Sequence, residues 1–253
     1  MVIECVDVSY RHDTSMETWS IQSVSLRIEP GERLVIAGPA GSGKTSLLQI
    51  LDALVLPERG DVLYDGVSVH DLSRRKLLHT VRRRCGVLFQ FPEDQFFHER
   101  AYDELTFALK NFFRLDARLL EHRARLVTSA LGLDLDRLMA GSPFAMSTGE
   151  RRRLALASAL MIDPEILMLD EPTSGLDASG RRELVRILDS LEETAVVVVT
   201  HNLEDFLPIA RRVLCMDQGR IVFTGAKEEF LGRTDLCDLH PGVFPLVVKV
   251  QQW

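Results

Sequence analysis

The chain has no excess of positive charge: 30 lysines and arginines face 37 aspartates and glutamates, leaving a net charge of -7. Nucleic-acid binders carry the opposite balance or a basic stripe, and the short runs Arg82-Arg83-Arg84 and Arg151-Arg152-Arg153 do not form one. Long apolar runs are also missing. Stretches such as Ile166 to Leu169 and Ala195 to Val199 fall far short of the roughly 18 residues that a membrane span needs. Cysteine is sparse: Cys5, Cys85, Cys215 and Cys237 are scattered without metal-like spacing, and Met-Val-Ile-Glu-Cys is not a signal peptide. A cytosolic compartment with free thiols is the expectation. What the chain does have is an ordinary globular balance, 46% hydrophobic and 26% charged over 253 residues, enough for one large domain or two small ones.

Short β-branched runs alternate with longer stretches of 3.6-residue period, the pattern of an α/β fold in which helices flank a parallel sheet. The expected strands are Val2 to Ser9, Val24 to Ile28, Arg33 to Ala37, Val87 to Gln90, Ile166 to Asp170, Ala195 to Thr200, Val213 to Met216 and Ile221 to Thr224. The last two flank Asp217-Gln218-Gly219-Arg220, a hairpin turn. Between Pro92 and Pro164 the apolar spacing is helical, at Asp103 to Phe113, Ala117 to Leu131 and Glu150 to Met161. This reads as a helical subdomain inserted into the α/β core. The segment from Cys237 to Trp253 is apolar without a pattern.

Gly38-Pro39-Ala40-Gly41-Ser42-Gly43-Lys44-Thr45 fits G-x-x-x-x-G-K-[ST] and stands between an apolar strand and the helical segment Ser46 to Leu54. Glycines let backbone N–H groups turn inward around a phosphate, and the helix points its positive end at it. Lys44 adds a mobile charge, and the Thr45 hydroxyl can ligate Mg²⁺. Ile166 to Pro172 is a buried strand ending in Asp170 and Glu171, where ligands of open α/β sheets bind. Because neighbouring strand residues point to opposite sides, Asp170 can serve a cation while Glu171 polarises a water. By itself such a pair also fits a helix-capping loop. Ser147-Thr148-Gly149-Glu150 is a capping box, either simply a well-made helix start or an anion site at that helix's N-terminus. His201 follows the strand Ala195 to Thr200 and fits a turn in which Asn202 caps the next helix.

In this order the motifs closely resemble the nucleotide-binding domain of ATP-binding-cassette (ABC) proteins, over about residues 2 to 230. Gly38 to Thr45 matches Walker A, Gln90 the Q-loop and Met146 to Glu150 the LSGGQ signature. Leu169 to Pro172 matches Walker B, Ser174 to Asp177 the D-loop, and His201 the switch histidine. Phe89 to Phe97, with Gln95, and Tyr102-Asp103-Glu104 after it, look like the extended Q-loop of energy-coupling factor (ECF) transporter ATPases, which power uptake of vitamins and of cobalt or nickel.

The resemblance implies a P-loop NTPase core with an antiparallel β subdomain in residues 1–91 and 165–230. It also implies a helical subdomain at about 92–164 and a tail at 231–253. ATP would be bound by residues 38 to 46, from Gly38, Pro39, Ala40, Gly41, Ser42 and Gly43 through Lys44, Thr45 and Ser46, and by Gln90. Thr45, Gln90 and Asp170 would serve Mg²⁺; Glu171 would be the general base, and His201 would hold the γ-phosphate. Ser147, Gly149 and Glu150 would act in trans, because ABC domains close head to tail around two ATP molecules. A second ATPase subunit follows, either another copy or a paralogue. So do a transmembrane coupling protein and a substrate-binding membrane subunit at the cytoplasmic face of the membrane. Thr148 stands where the signature has its first glycine; a β-branched residue there resists positive φ and adds bulk toward the phosphate. The residue that stacks on adenine falls at Tyr10 or His12. A generic ABC importer ATPase is the alternative, with a soluble ABC ATPase of DNA maintenance or translation behind it. The latter carries long coiled coils or a second cassette, and this chain has neither.

Overall fold

The computed structural model describes residues 1–13 and 18–233, apart from the side chains of Glu93 and Asp94. Among the described residues ten strands form two sheets: β1 (Ile3–Tyr10), β2 (Ile21–Ile28), β3 (Arg33–Ala37), β4 (Arg59–Tyr64), β5 (Val67–Ser68), β6 (Cys85–Leu88), β7 (Ile166–Asp170), β8 (Ala195–Thr200), β9 (Arg212–Asp217) and β10 (Arg220–Ala226). The first sheet is antiparallel, in the order β2-β1-β4-β5, and the second runs β10-β9-β3-β8-β7-β6. Strands β9, β3, β8, β7 and β6 are mutually parallel, so their carboxyl ends share one edge.

The parallel strands are buried on both faces, with every residue of β3, β7 and β8 buried. Alternate residues feed two cores. Val35, Leu167, Leu169, Val196 and Val198 pack toward the helices, whereas Leu34, Ile36, Ile166, Met168, Val197 and Val199 pack toward the antiparallel sheet. Each buried aliphatic side chain is worth about 1.5–3 kcal/mol, so Val197→Asp, at a fully buried position, would break the sheet at its centre.

Helix α1 (Lys44–Leu51) follows β3; α2 (Val69–Arg74) and α3 (Leu78–Arg82) precede β6. Between β6 and β7 the chain is wholly non-strand: a 3₁₀ turn at Pro92–Gln95, then α4 (Ala101–Phe112), α5 (Ala117–Ala130), α6 (Leu135–Ala140) and α7 (Thr148–Leu160). Each of the three expected helices here is present within two residues of its expected ends. Helix α7 starts where the capping box forms: the Ser147 side chain accepts from the Glu150 N–H while the Glu150 carboxylate accepts from the Ser147 N–H. It continues without β-branched residues and buries Leu154, Ala155, Leu156, Ala157 and Leu160.

The antiparallel β subdomain that the resemblance implied lies beside the parallel sheet: it takes β1 and β2 and adds β4 and β5, two strands not among those expected, since β4 buries only Val62 and Tyr64, too few to stand out by alternation. Helix α8 (Ala178–Asp189), capped by Asp177, fully buries only Leu184 and Leu188 and was not among the expected helices. The β9–β10 hairpin is as expected: Asp217 pairs with Arg220 across Gln218 and Gly219, whose φ values of 45° and 75° match a primed two-residue turn. Cys5, Cys85 and Cys215 are free and buried, while Cys237 and the apolar stretch after it lie outside the described residues. Among the described residues no helix is long and apolar enough to cross a membrane.

Candidate functional site: a phosphate cradle at the carboxyl edge of the sheet

The loop leaving β3 closes tightly before α1. A side chain on Gly38 would run into the Met216 carbonyl and reach within 2.7 Å of Ser42 Oγ, and one on Gly43 would meet the Ser20 carbonyl. Gly43, the residue before α1, has φ 98°, a left-handed backbone that glycine alone adopts without strain. Inside the loop the Ser42 N–H donates to the Pro39 carbonyl at 3.2 Å. The Lys44 ammonium folds back and donates to the Gly38 and Pro39 carbonyls, both at 2.8 Å. Burial lowers the Lys44 pKa, and Glu171 and Asp170 partly offset this.

Thr45 and Asp170 meet although 125 residues separate them: the Thr45 hydroxyl donates to Asp170 Oδ2 at 2.8 Å. Burial raises the Asp170 pKa, the Thr45 hydrogen bond opposes this, and Glu171 adds a further upward push. Glu171 turns the other way, with φ 47°. Its Oε2 accepts from the Thr200 hydroxyl at 3.2 Å, its Oε1 from the His201 N–H at 2.9 Å, and His201 Nδ1 lies 2.8 Å from Oε1. The last residue of β8, Thr200, and the residue after it, His201, thus orient this carboxylate. Asn202 stands at the N-cap of α9 (Leu203–Phe206) but makes no side-chain capping bond; its N–H donates to Thr200 Oγ1. The capping role expected for Asn202 is therefore not seen, and His201 faces Glu171.

Gln90 follows β6, whose Leu88 is paired with Leu169 of β7, so it sits at the same sheet edge as Asp170. After it, Phe91 adopts φ 52° and opens the 3₁₀ turn. The buried Glu104 carboxylate then takes the N–H groups of Phe97 and His98, at 3.2 and 3.0 Å, and lies 2.9 Å from His98 Nδ1. Phe96 is half-buried, whereas Phe97 is 62% exposed and packs edge-on against Phe107.

Tyr10 and His12 come together rather than compete. Their rings stack edge to face at 5.1 Å, and His12 Nε2 lies 2.9 Å from the hydroxyl of Ser46 in the first turn of α1. Ser147, Gly149 and Glu150 open α7 at a separate place, with Ser147 and Thr148 exposed and open space around Gly149. Thr148 is the first residue of α7 and is absent from the positive-φ positions, so the expected backbone conflict does not arise. Within one chain, then, the structure places three local contacts side by side, Lys44 on its own loop, Thr45 on Asp170, and Glu171 on Thr200 and His201, and among the described residues no hydrogen bond or ion pair links them to Ser147. Sequence reasoning missed Thr200 and Arg137, whose Nη1 donates to Glu150 Oε1 at 2.8 Å, and held Glu104 only as part of the Tyr102-Asp103-Glu104 match, with no role for its carboxylate. A hydroxyl at the end of a strand bearing the next motif was a usable signal for Thr200; Arg137 carried none.

The residues fit a magnesium-bound nucleotide. The Ser42 hydroxyl is buried in the loop without a hydrogen-bond partner, a polar atom left for a ligand. The Thr45 hydroxyl and Asp170 carboxylate are hard oxygen donors of the kind Mg²⁺ selects.

Comparison with known proteins agrees. The family model described as "ABC transporter" matches residues 21–174. The ATP-binding protein EcfA2 of the energy-coupling factor transporter of Thermotoga maritima is 42% identical over 241 residues, covering 93% of this chain and 86% of its own. Its namesake in Symbiobacterium thermophilum is 40% identical, covering 92% and 80%. Among solved structures, the dimeric ATP-binding cassette MJ0796 in a post-hydrolysis state with ADP and Pi superposes with TM-score 0.80 at 26% identity, covering 89% of this chain and 98% of its own. CbiO1 of Clostridium perfringens, part of the cbiONQ complex, gives TM-score 0.80 at 25% identity, covering 99% and 98%. The chain belongs to the ABC transporter family of ATP-hydrolysing subunits, among the ATP-binding proteins of energy-coupling factor transporters.

Proposed function

We propose that this chain is the ATP-hydrolysing motor of an ECF-type ABC importer and drives uptake of a vitamin or a transition-metal ion through membrane subunits. The observation that carries this reading is the Thr45–Asp170 and Glu171–His201 contacts at one sheet edge, beside the loop that Lys44 folds onto, in a chain whose relatives are named as ECF transporter subunits.

In this reading Lys44 exchanges its two carbonyl acceptors for β- and γ-phosphate oxygens, and the N–H groups of the loop and of Ser46 complete the cradle. Thr45, Asp170 and Gln90 hold Mg²⁺, which when bound neutralises charge developing across the phosphates. Glu171, fixed by Thr200 and His201, accepts hydrogen from the attacking water, and His201 is placed to contact the γ-phosphate. The pair Tyr10–His12 stands over Ser46 as the adenine-side wall. Among the described residues no contact brings Ser147 of the same chain to these groups, so its helix N-terminus serves a second ATPase subunit's nucleotide, and two subunits complete each site.

Coupling runs from Gln90 through the 3₁₀ turn to the exposed Phe97, which presents an apolar ring to a partner rather than to the core. With the acidic Glu93 and Asp94 four and three residues before it in sequence, this stretch suits a basic, amphipathic helix of a membrane protein at the cytoplasmic face. Charge reversal at Glu93 and Asp94 is expected to leave the isolated subunit's ATPase within about twofold of wild type while abolishing uptake by the reconstituted complex. Undiminished uptake would overturn the docking assignment.

A further inference from the structure

We propose that Arg137 is a positioning residue for the composite ATP site: it neutralises Glu150 and so lets the Ser147 end of α7 accept a phosphate carried by the partner subunit. This rests on the composite-site reading above and adds a residue that no motif contains.

The anion-accepting end of α7 carries a charge of the wrong sign. Glu150 Oε2 accepts from the Ser147 N–H at 2.9 Å and from the Ser147 hydroxyl at 2.8 Å. The same carboxylate that completes the helix cap therefore takes the hydroxyl proton that a phosphate oxygen would need, and stands one side chain away from where that phosphate arrives. Those hydrogen bonds hold the Glu150 pKa below the usual glutamate range, with Arg137 and Arg153 pulling the same way. The carboxylate is thus ionised at neutral pH, and an incoming phosphate meets a negative charge.

Arg137, on the neighbouring α6, answers that charge. Its Nη1 reaches the other carboxylate oxygen, Oε1, at 2.8 Å, drawing negative charge away from the oxygen that faces Ser147. The pair does little as packing. It spans the rim of a cavity of about 180 Å³ lined by Asp134, Gly141, Ser142 and Met146. Arg137 is 68% exposed, so it covers little apolar surface. Arg153, the other basic group facing Glu150, lies 3.9 Å from Glu183 of α8 and divides its charge between the two carboxylates. Arg137 is the cation given over to Glu150.

A double-mutant cycle separates charge compensation from a structural clip. In the ATPase dimer carrying Glu171→Gln, so that bound ATP persists, the ATP concentration for half-maximal closure is measured by light scattering at low salt. Arg137→Ala is expected to raise it about fivefold, the size of one surface charge contact. The effect should shrink when salt shortens the screening length. Combined with Glu150→Gln, which keeps the cap but removes the charge, Arg137→Ala should change it by less than about twofold. A fivefold loss in both backgrounds makes Arg137 a mere tie between α6 and α7 and overturns the proposal, as does no loss in either. ATP binding to the separate subunit, which uses only its own P-loop, is expected to be unchanged by Arg137→Ala. If the dimer never closes with ATP in any variant, the composite-site reading itself fails, and Arg137's role with it.

Discussion

Lys44→Ala discriminates between a buried lysine that holds the loop together and one that waits for a phosphate. In the structure its ammonium makes two charge-assisted bonds, to the Gly38 and Pro39 carbonyls at 2.8 Å. Each such bond would ordinarily contribute about 1.5–3 kcal/mol. Burial works against the charge, however, and lowers the Lys44 pKa even with Asp170 and Glu171 near it. Desolvation therefore consumes much of what the two carbonyls return, and removing the side chain should cost the nucleotide-free fold little. With ATP the balance reverses, because phosphate oxygens are far stronger acceptors than the carbonyls they replace. Losing that contact should weaken ATP binding by about 1.5–3 kcal/mol, roughly 10- to 150-fold. At an ATP concentration of about 100 times the wild-type Kd, ligand stabilisation is about 2.7 kcal/mol; a 100-fold weaker site retains about 0.4 kcal/mol. For a chain of this size that is a Tm shift of roughly 5–10 °C reduced to about 1 °C. Thermal melts with and without ATP read both quantities at once. An unchanged ATP-induced shift in Lys44→Ala would refute the phosphate assignment, and a collapse of the apo melt would make the lysine a structural clip.

Two other substitutions test neighbouring parts of the account. Thr148 has a helical backbone at the start of α7, so Thr148→Gly relieves no strain; it should lower the apo stability by up to about 1 kcal/mol, and a higher melting temperature would contradict the observed conformation. Burial of Asp52, at the end of α1, pushes its carboxyl up to about 7, against a pull downward from Arg82. The unfolded chain releases that proton near pH 4 and the folded chain keeps it until about pH 7, so stability falls across this window, by up to a few kcal/mol. Asp52→Asn should flatten the fall in Tm between pH 5 and pH 8, and an equally steep fall in the variant would show that the charge lies elsewhere.

The sequence is most legible where local chemistry and fold demand the same residues. The loop Gly38 to Thr45 needs glycine at Gly43 for its backbone and at Gly38 for its closeness to Met216, so the motif carries its structure with it. The strands β3, β7 and β8 stand out because burial on both faces leaves an unbroken apolar run, with polar residues only at the ends, Arg33, Asp170 and Thr200. Strand β4 was hidden for the opposite reason: it begins Arg59-Gly60-Asp61, which reads as a turn, and its pairing with β1 is a contact more than fifty residues away in sequence. Helix α8 hides its apolar face behind three arginines and an aspartate-capped start. The Asp170 and Glu171 pair was readable as two groups facing apart, but not what each would touch, since Thr45 arrives from α1 and Thr200 and His201 from the end of β8. Arg137 and Glu104 act through contacts that depend on how one helix lies against another segment, and periodicity does not encode that.

The central claim is that two chains enclose ATP and that Glu171 activates the water that ends the enclosure. It is tested most directly by size-exclusion chromatography of Glu171→Gln with Mg-ATP, alongside steady-state ATP turnover. Positioning the attacking water is among the few tasks a protein performs in phosphoryl transfer, so the variant should bind Mg-ATP yet turn over at least about 100-fold more slowly. It should also elute with ATP as a stable dimer, because ATP bridges the subunits and is no longer consumed. A monomeric profile with ATP, or turnover close to that of the wild type, would contradict the account.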